Sequence, residues 1–407
     1  MLASIANGTS HIENFSTGKD CASTIRCMRQ LGVEIEHSGT SVAVHGVGKA
    51  GLRKPNEPLD CGNSGTTVRL LSGIMAGQNF DSVMTGDESL QLRPMNRVID
   101  PLTKMGAIIV SQAGKLPLTI NGKNLLDAIL YETPVASAQV KSCVILAGLY
   151  AEGKTVVEEK ILTRDHTERM LRWFGVDIDT HTNQDGRTRI QIDGDAVLTS
   201  KDIDIPGDIS SAVFFMAAAA CLSGSQLKIL NVGINPTRAD IIDVMRRFGA
   251  DIELINVRNK QFEPSADMTI RGHAELTRKT DSNVIGGRDI AGVIDEIPIL
   301  AVFGTQVSGG IEIRDAAELR VKESDRIASV VENLKRMGAA VTEFEDGFKV
   351  EQSELKGAVI DSFGDHRIAM AFAVAGLFAK GETEIIGAEC ADISFPGFFE
   401  LLASVVK

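Results

Sequence analysis

One unit recurs along the chain. It is an Ala-rich helix closing at a glycine, a strand, an amphipathic helix closing at Leu/Met/Phe-Gly, and two short strands. The Ala-rich helices are read as closing at Gly8, Gly77, Gly153, Gly224, Gly309 and Gly381, roughly 70 to 85 residues apart. The second helices close at Gly32, Gly106, Gly175, Gly249 and Gly338, and a sixth, Phe398-Phe399-Glu400-Leu401-Leu402, falls near the C-terminus. A block of this length buries its apolar face only against its neighbours, so the repeat dictates the architecture.

The later Ala-rich helices are preceded by a polar motif 13 to 16 residues before the closing glycine, at Ser64, Ser137, Ser210, Asp295 and His366. The same offset from Gly8 falls ahead of Met1, so one of six equivalent loops is expected to be missing and Met1–Gly8 to be the end of a buried helix. The second helices carry a core-facing stripe, as in Ile99, Leu102 and Met105 or Ile327, Val330, Val331 and Leu334. Phe214–Leu222 and Ile368–Phe378 are apolar on nearly every face, the mark of helices buried all round. Strands such as Glu34-Ile35-Glu36 and Asp251–Leu254 alternate, as in sheets wet on one side.

The expected fold is therefore of the α/β (α+β) class: a two-domain inside-out α/β barrel of six βαβαββ-type repeats, three per domain, the first truncated. The boundary falls at Ile205-Pro206-Gly207, giving domains 1–205 and 206–407. A continuous solenoid is the competing arrangement.

The length of 407 residues suffices for two full cores, and no apolar run is long enough to span a membrane. A net charge of −12 argues against general nucleic-acid binding, though a cleft can be locally basic. Six scattered cysteines form no Cys-x-x-Cys, and no His pair has metal spacing. They read as small core residues in a reducing, cytoplasmic protein, expected to be a monomer with no nucleic-acid or membrane partner.

Singly, each polar motif is an ordinary helix cap. Together, several buried helices pointing one way gather free N–H groups and positive dipole ends in one place, which suits an anion. Arg93, Lys322, Arg326 and Arg367 fall on the same rim, with Lys322 and Arg326 expected on one face of a helix's first turn. An arginine one residue into a buried helix, as at Arg367, needs a phosphate or carboxylate partner. Asp295 and Glu323 share the rim and suit proton transfer; spacing alone leaves open whether Asp295 is a cap and whether Glu296 is the important neighbour.

Asn63-Ser64-Gly65-Thr66-Thr67-Val68-Arg69, Ser137–Ser142, Arg164-Asp165-His166-Thr167-Glu168, Pro206–Ser211, Asp295-Glu296, Lys322–Arg326 and Asp365-His366-Arg367 occur in this order. Over essentially its whole length the chain thereby resembles the 5-enolpyruvylshikimate-3-phosphate synthases. The resemblance implies transfer of an enolpyruvyl group from phosphoenolpyruvate to the 5-hydroxyl of shikimate 3-phosphate, with two domains closing over these substrates and no metal or cofactor. It assigns Asn63, Gly65, Arg93, Gln139, Arg326 and Arg367 to phosphoenolpyruvate. Shikimate 3-phosphate falls to Ser137, Ala138, Gln139, Arg164, Asp295 and Lys322. Asp295 would take the hydroxyl proton and Glu323 would serve the methylene carbon. In those terms domain 1–205 is the shikimate-phosphate side and 206–407 holds the catalytic carboxylates and clamping arginines.

The chain departs from the family pattern in lacking a Gly-Asp-Lys-Ser-x-Ser-x-Arg type loop, which implies weak activity or none. A Lys that some members carry near Phe395-Pro396 is replaced by Asp392-Ile393-Ser394. Gly65 implies sensitivity to glyphosate. Two other readings are an enolpyruvyl transferase acting on a UDP-amino sugar, disfavoured because Gly86–Arg93 has no cysteine, and a non-catalytic anion-binding remnant.

Overall fold

Three helices of the C-terminal half, Ile209–Cys221, Ile297–Gly304 and His366–Gly376, pack pairwise on one another and are buried on nearly all sides. In the N-terminal half the Gly65–Ala76 and Ala138–Gly148 helices do the same. Their backbones approach so closely that a Cβ on Gly73 would lie 2.3 Å from the carbonyl oxygen of Cys143. Only glycine permits that approach. The coordinates come from a computed structural model, which describes residues 1–123 and 125–406. The chain divides into two compact units, Met1–Ile205 and the part from Pro206 onward, each with its own apolar core.

The sheets repeat one pairing scheme. Leu59–Asp60 runs parallel to Ser82–Thr85, which pairs antiparallel with Lys115–Asn121, which pairs antiparallel with Ile108–Gln112. The same order recurs in Leu130–Glu132, Lys154–Glu159, Thr188–Asp193 and Ile178–Thr182. It recurs again in Val284–Ile285, Ile311–Ile313, Gly347–Val350 and Val341–Phe344. In the first sheet the parallel partner of Asn7–Glu13 is Ile203–Asp204, from the far end of the same unit. Alternation explains how one face is covered: Lys115–Asn121 buries Leu116, Leu118 and Ile120 and leaves Lys115 and Pro117 outside.

Five of the second-type helices stop in the same way, and the sixth, Phe398–Val405, ends instead at an extended Val406. At Gly32, Gly106, Gly175, Gly249 and Gly338 φ lies between 80° and 99°. The glycine N–H bonds back to Arg29, Thr103, Arg172, Arg246 and Lys335, and the following residue bonds to Met28, Leu102, Leu171, Met245 and Leu334. This doubly bonded left-handed stop satisfies carbonyls the helix would otherwise orphan. Three of these helices add an arginine that donates forward to a carbonyl of the next strand, Arg29 to Ile35, Arg172 to Ile178 and Arg246 to Ile252.

The inner helices end differently from the expectation. Only Gly77 caps its helix. Gly153, Gly224, Gly309 and Gly381 lie a few residues beyond the helix ends at Gly148, Cys221, Gly304 and Gly376. All four have positive φ, so they turn the chain into the next strand rather than stop the helix. Gly8 likewise sits inside the Asn7–Glu13 strand, and the buried segment before it is a 3₁₀ turn, Leu2–Ile5. No helix among the described residues is long and apolar enough to cross a membrane.

Candidate active site

In the second unit the site is built around Arg326. It opens the Arg326–Arg336 helix, whose N-cap Asp325 accepts the N–H of Ala328. Arg326 is 2% exposed and stands among three carboxylates. Its Nε donates to Asp365 at 2.8 Å, its Nη2 to Glu323 at 2.6 Å, and its Nη1 reaches Asp295 at 3.5 Å. Burial works against its charge, but Asp365 and Glu323 raise its pKa above the ordinary arginine value. Burial also opposes ionisation of Asp365, yet Arg326 holds that carboxyl down at about 2.

Asp365 is at the same time the N-cap of the His366–Gly376 helix, accepting the N–H of Arg367 at 2.9 Å. One buried carboxylate thus locks two helix starts together. Arg367 donates to the backbone carbonyl of Asp295 at 2.7 Å and lies 3.4 Å from Glu296. Glu296 also accepts the hydroxyl of Ser210, at the start of the third inner helix. Burial first, and then the neighbouring Arg367 cation, push the imidazole of His366 down to about 4.

Asp295 and Glu323 differ from these locked groups. They are 17% and 22% exposed, and the buried Arg326 reaches both. Asp295 caps no helix: it sits in a 3₁₀ turn ahead of Ile297–Gly304, which starts without a side-chain cap. Glu296 is the structural member of the pair, almost wholly buried. Lys322 reaches Asp295 at 3.4 Å. It does so from the loop after the Ala317–Val321 turn, not from the helix face shared with Arg326 that spacing predicted, because the Asp325 cap delays the helix to Arg326.

In the first unit two inner helix starts carry the site. Ser64 caps Gly65–Ala76 through the N–H of Thr67, and Ser137 caps Ala138–Gly148 through that of Val140. Arg93 donates to Asn63 at 2.7 Å, and Asn63 in turn donates to Asp87 at 2.7 Å. Arg69 donates to Gln139 at 2.7 Å, and Gln139 to Thr66 at 2.9 Å, which ties the two helix starts together. A Cβ on Gly65 would fall 3.0 Å from Arg69 Nη1 and 3.3 Å from Arg93 Nη1. Asn63, Gly65, Arg93, Ser137, Ala138 and Gln139 are therefore neighbours in one network, and Arg164 follows Thr163, whose carbonyl accepts from Lys141 of the second helix. Asp295, Lys322, Glu323, Arg326 and Arg367 form the second set.

Sequence reasoning passed over Arg69 and Asp365 as site residues, although both stood in its motifs. Arg69 carried a usable signal, since it lies four residues after Gly65 and so on the same face of the helix's first turns. Asp365 reads as a plain cap, and only the fold shows Arg326 beside it. Arg238 was also missed. It donates to Asp208 at 2.7 Å and Ser210 at 2.8 Å from the segment after the Gln226–Gly233 strand.

Helix starts carrying guanidiniums occur in each unit, and the second unit adds a partly exposed carboxylate pair backed by a buried arginine and a lysine; such features suit an enzyme for anionic small substrates whose chemistry moves protons. A family profile for EPSP synthase (3-phosphoshikimate 1-carboxyvinyltransferase) matches residues 1–402. The chain is 49% identical over 410 residues to the 3-phosphoshikimate 1-carboxyvinyltransferase of Citrifermentans bemidjiense and 51% over 408 residues to that of Brevibacillus brevis. Each match covers 100% of this chain and 93% of the relative. A solved EPSP synthase from Acinetobacter baumannii superposes with a TM-score of 0.87 at 44% identity, covering 100% of this chain and 92% of that one.

The chain belongs to the EPSP synthase family. Its activity is that of a 3-phosphoshikimate 1-carboxyvinyltransferase, a transferase of the shikimate route to aromatic amino acids, and its mixed α/β fold is that of the solved members. The family's substrates are phosphoenolpyruvate and shikimate 3-phosphate. The UDP-amino-sugar transferase and the non-catalytic remnant are set aside.

Proposed function

We propose that Asp295 and Glu323 are the proton-transfer groups of the carboxyvinyl transfer, and that two sets of cations hold its anionic substrates. The observation that carries this reading is their shared partner: the buried Arg326 lies 3.5 Å from Asp295 and 2.6 Å from Glu323, and both carboxylates remain partly exposed. Asp295 takes the proton of the shikimate 5-hydroxyl as its oxygen bonds to C2 of phosphoenolpyruvate, and Glu323 delivers a proton to C3. The resulting tetrahedral adduct then loses phosphate while a proton returns from the methyl carbon, restoring the vinyl group. Charge builds on the departing phosphate, which is where preorganised cations lower the barrier most.

Asn63, Gly65, Arg93, Gln139, Arg326 and Arg367 are assigned to phosphoenolpyruvate. Ser137, Ala138, Gln139, Arg164, Asp295 and Lys322 are assigned to shikimate 3-phosphate. The bonds among Arg93, Asn63, Arg69 and Gln139 support preorganisation of the first set. Lys322 lies 3.4 Å from Asp295, beside the proposed base. Residues 1–205 then serve mainly the shikimate phosphate, and 206–407 supply the carboxylates and clamping arginines. The recurring sheet order and the inner helices support a six-repeat inside-out α/β barrel, three repeats per unit. We read the protein as a cytoplasmic monomer.

Asp295→Asn and Glu323→Gln are each expected to lower kcat by about a hundredfold or more, the usual worth of a positioned proton-transfer group, with small changes in KM. Phosphate-release kinetics with shikimate 3-phosphate check this. Variants with kcat near wild type would reject the assignment.

A further inference from the structure

The two largest fully buried side chains among the described residues are both basic. Arg326 belongs to the site above. The other, Lys141, lies in the first turn of the Ala138–Gly148 helix and is completely enclosed. Its ammonium carries three protons and meets three acceptors: Glu168 at 2.9 Å, Glu159 at 3.0 Å and the carbonyl of Thr163 at 3.3 Å. These come from three separate pieces of chain, the His166–Trp173 helix, the end of the Lys154–Glu159 strand and the loop between them. The hydroxyl of Thr163 closes the arrangement by donating to the other oxygen of Glu159. Ser142 and Thr167, 2.6 Å apart, add a second tie between the two helices.

One ammonium among two carboxylates leaves a surplus negative charge. Burial, acting against Lys141, pushes the Glu168 carboxyl up, and the second oxygen of Glu168 is buried without a partner. Apolar side chains would fill the same space without the cost of desolvating charge, so the ionic cluster is poorly explained as a source of stability alone. What it does determine is geometry. It holds the carbonyl immediately before Arg164 against the turn that begins with Ser137, Ala138 and Gln139.

We propose that Lys141, with Glu159 and Glu168, is a positioning residue that places Arg164 against the Ser137–Gln139 helix start and thereby sets the affinity for shikimate 3-phosphate. This rests on the assignment of those residues to that substrate. Of the residues assigned to phosphoenolpyruvate in this unit, Asn63, Gly65 and Arg93 hang on the Gly65–Ala76 helix start and its neighbouring loop, outside the three-way tie, and Gln139 alone shares the tied helix.

The test compares Lys141→Met, Thr163→Val and Arg164→Ala in the full chain. Shikimate 3-phosphate binding is read by calorimetry, and kcat and both KM values by phosphate release. Lys141→Met is expected to weaken shikimate 3-phosphate about tenfold, the equivalent of one charge-assisted hydrogen bond, leaving kcat and the phosphoenolpyruvate KM within about twofold. Because that variant strands two buried carboxyls and can fail to fold, Thr163→Val is read beside it, with an expected loss of about threefold, since the hydroxyl's bond to the Glu159 carboxylate acts on Arg164 only through the cluster. If Arg164→Ala weakens shikimate 3-phosphate and neither other variant does, the positioning role is overturned and the site assignment stands. Equal effects on both substrates would also overturn it. If Arg164→Ala itself changes nothing, the site assignment falls, and the positioning role with it.

Discussion

At Gly65 a single hydrogen separates two guanidiniums from a clash. A methyl group there would sit 3.0 Å from Arg69 and 3.3 Å from Arg93, closer than side-chain carbons usually come, so the two arginines must move apart by tenths of an ångström. Gly65→Ala is therefore expected to raise the phosphoenolpyruvate KM by roughly three- to tenfold with little loss of stability, since geometry at a preorganised site is worth more than its contacts. Steady-state kinetics and a thermal melt check the split; an unchanged KM would show that Arg93 does not clamp that substrate. Arg367 is a mixed case. Its bond to the Asp295 carbonyl gives it a structural task, so Arg367→Ala should weaken phosphoenolpyruvate and also disturb Asp295, lowering kcat and raising KM together.

Elements carry their own predictions, because the repeats reuse a few local devices. Gly175 ends the His166–Trp173 helix at φ 86°, and a Cβ there would meet nothing within 4 Å. Gly175→Ala isolates the left-handed backbone penalty and is expected to destabilise the protein by about 1–2 kcal/mol, measured by denaturant unfolding. Asp365→Ala is expected to do more. It removes the N-cap of one helix and leaves Arg326 short of its principal partner, which puts the loss at about 3–5 kcal/mol. A loss below about 1 kcal/mol would mean that Glu323 and Asp295 neutralise Arg326 by themselves.

For the molecule as a whole, pH dependence follows from groups whose charge the fold resists. His366 titrates near 6.5 when unfolded and at about 4 in place, so between those values the unfolded chain binds the extra proton. Stability should fall as pH drops through that window, by at most about 1.4 kcal/mol per pH unit from this group, and be insensitive to it above. Asp365 adds a later acid step: its stabilisation is present above its unfolded value near 4 and is lost as pH falls toward about 2. Urea unfolding of wild type and His366→Gln at pH 7 and pH 5 checks the first step, since the variant should lose less between the two pH values.

Periodicity, glycine spacing and motif order already determined the buried helices, the amphipathic helices and the family, because each is a local pattern written in consecutive residues. The second-type helix stops were legible for the same reason: a left-handed residue after an amphipathic run demands glycine wherever the helix lies. The closing glycines of the inner helices misled, since a positive-φ turn into a strand and a helix cap both ask for glycine in sequence. Only the tertiary structure decided that Asp295 is no cap, that Lys322 works from a loop, and that Asp365 joins two helix starts through Arg326. It alone brought Lys141 to Glu159 and Glu168, 18 and 27 residues away along the chain. Charges buried together reveal their pairing by distance in space, and sequence spacing carries no record of that distance.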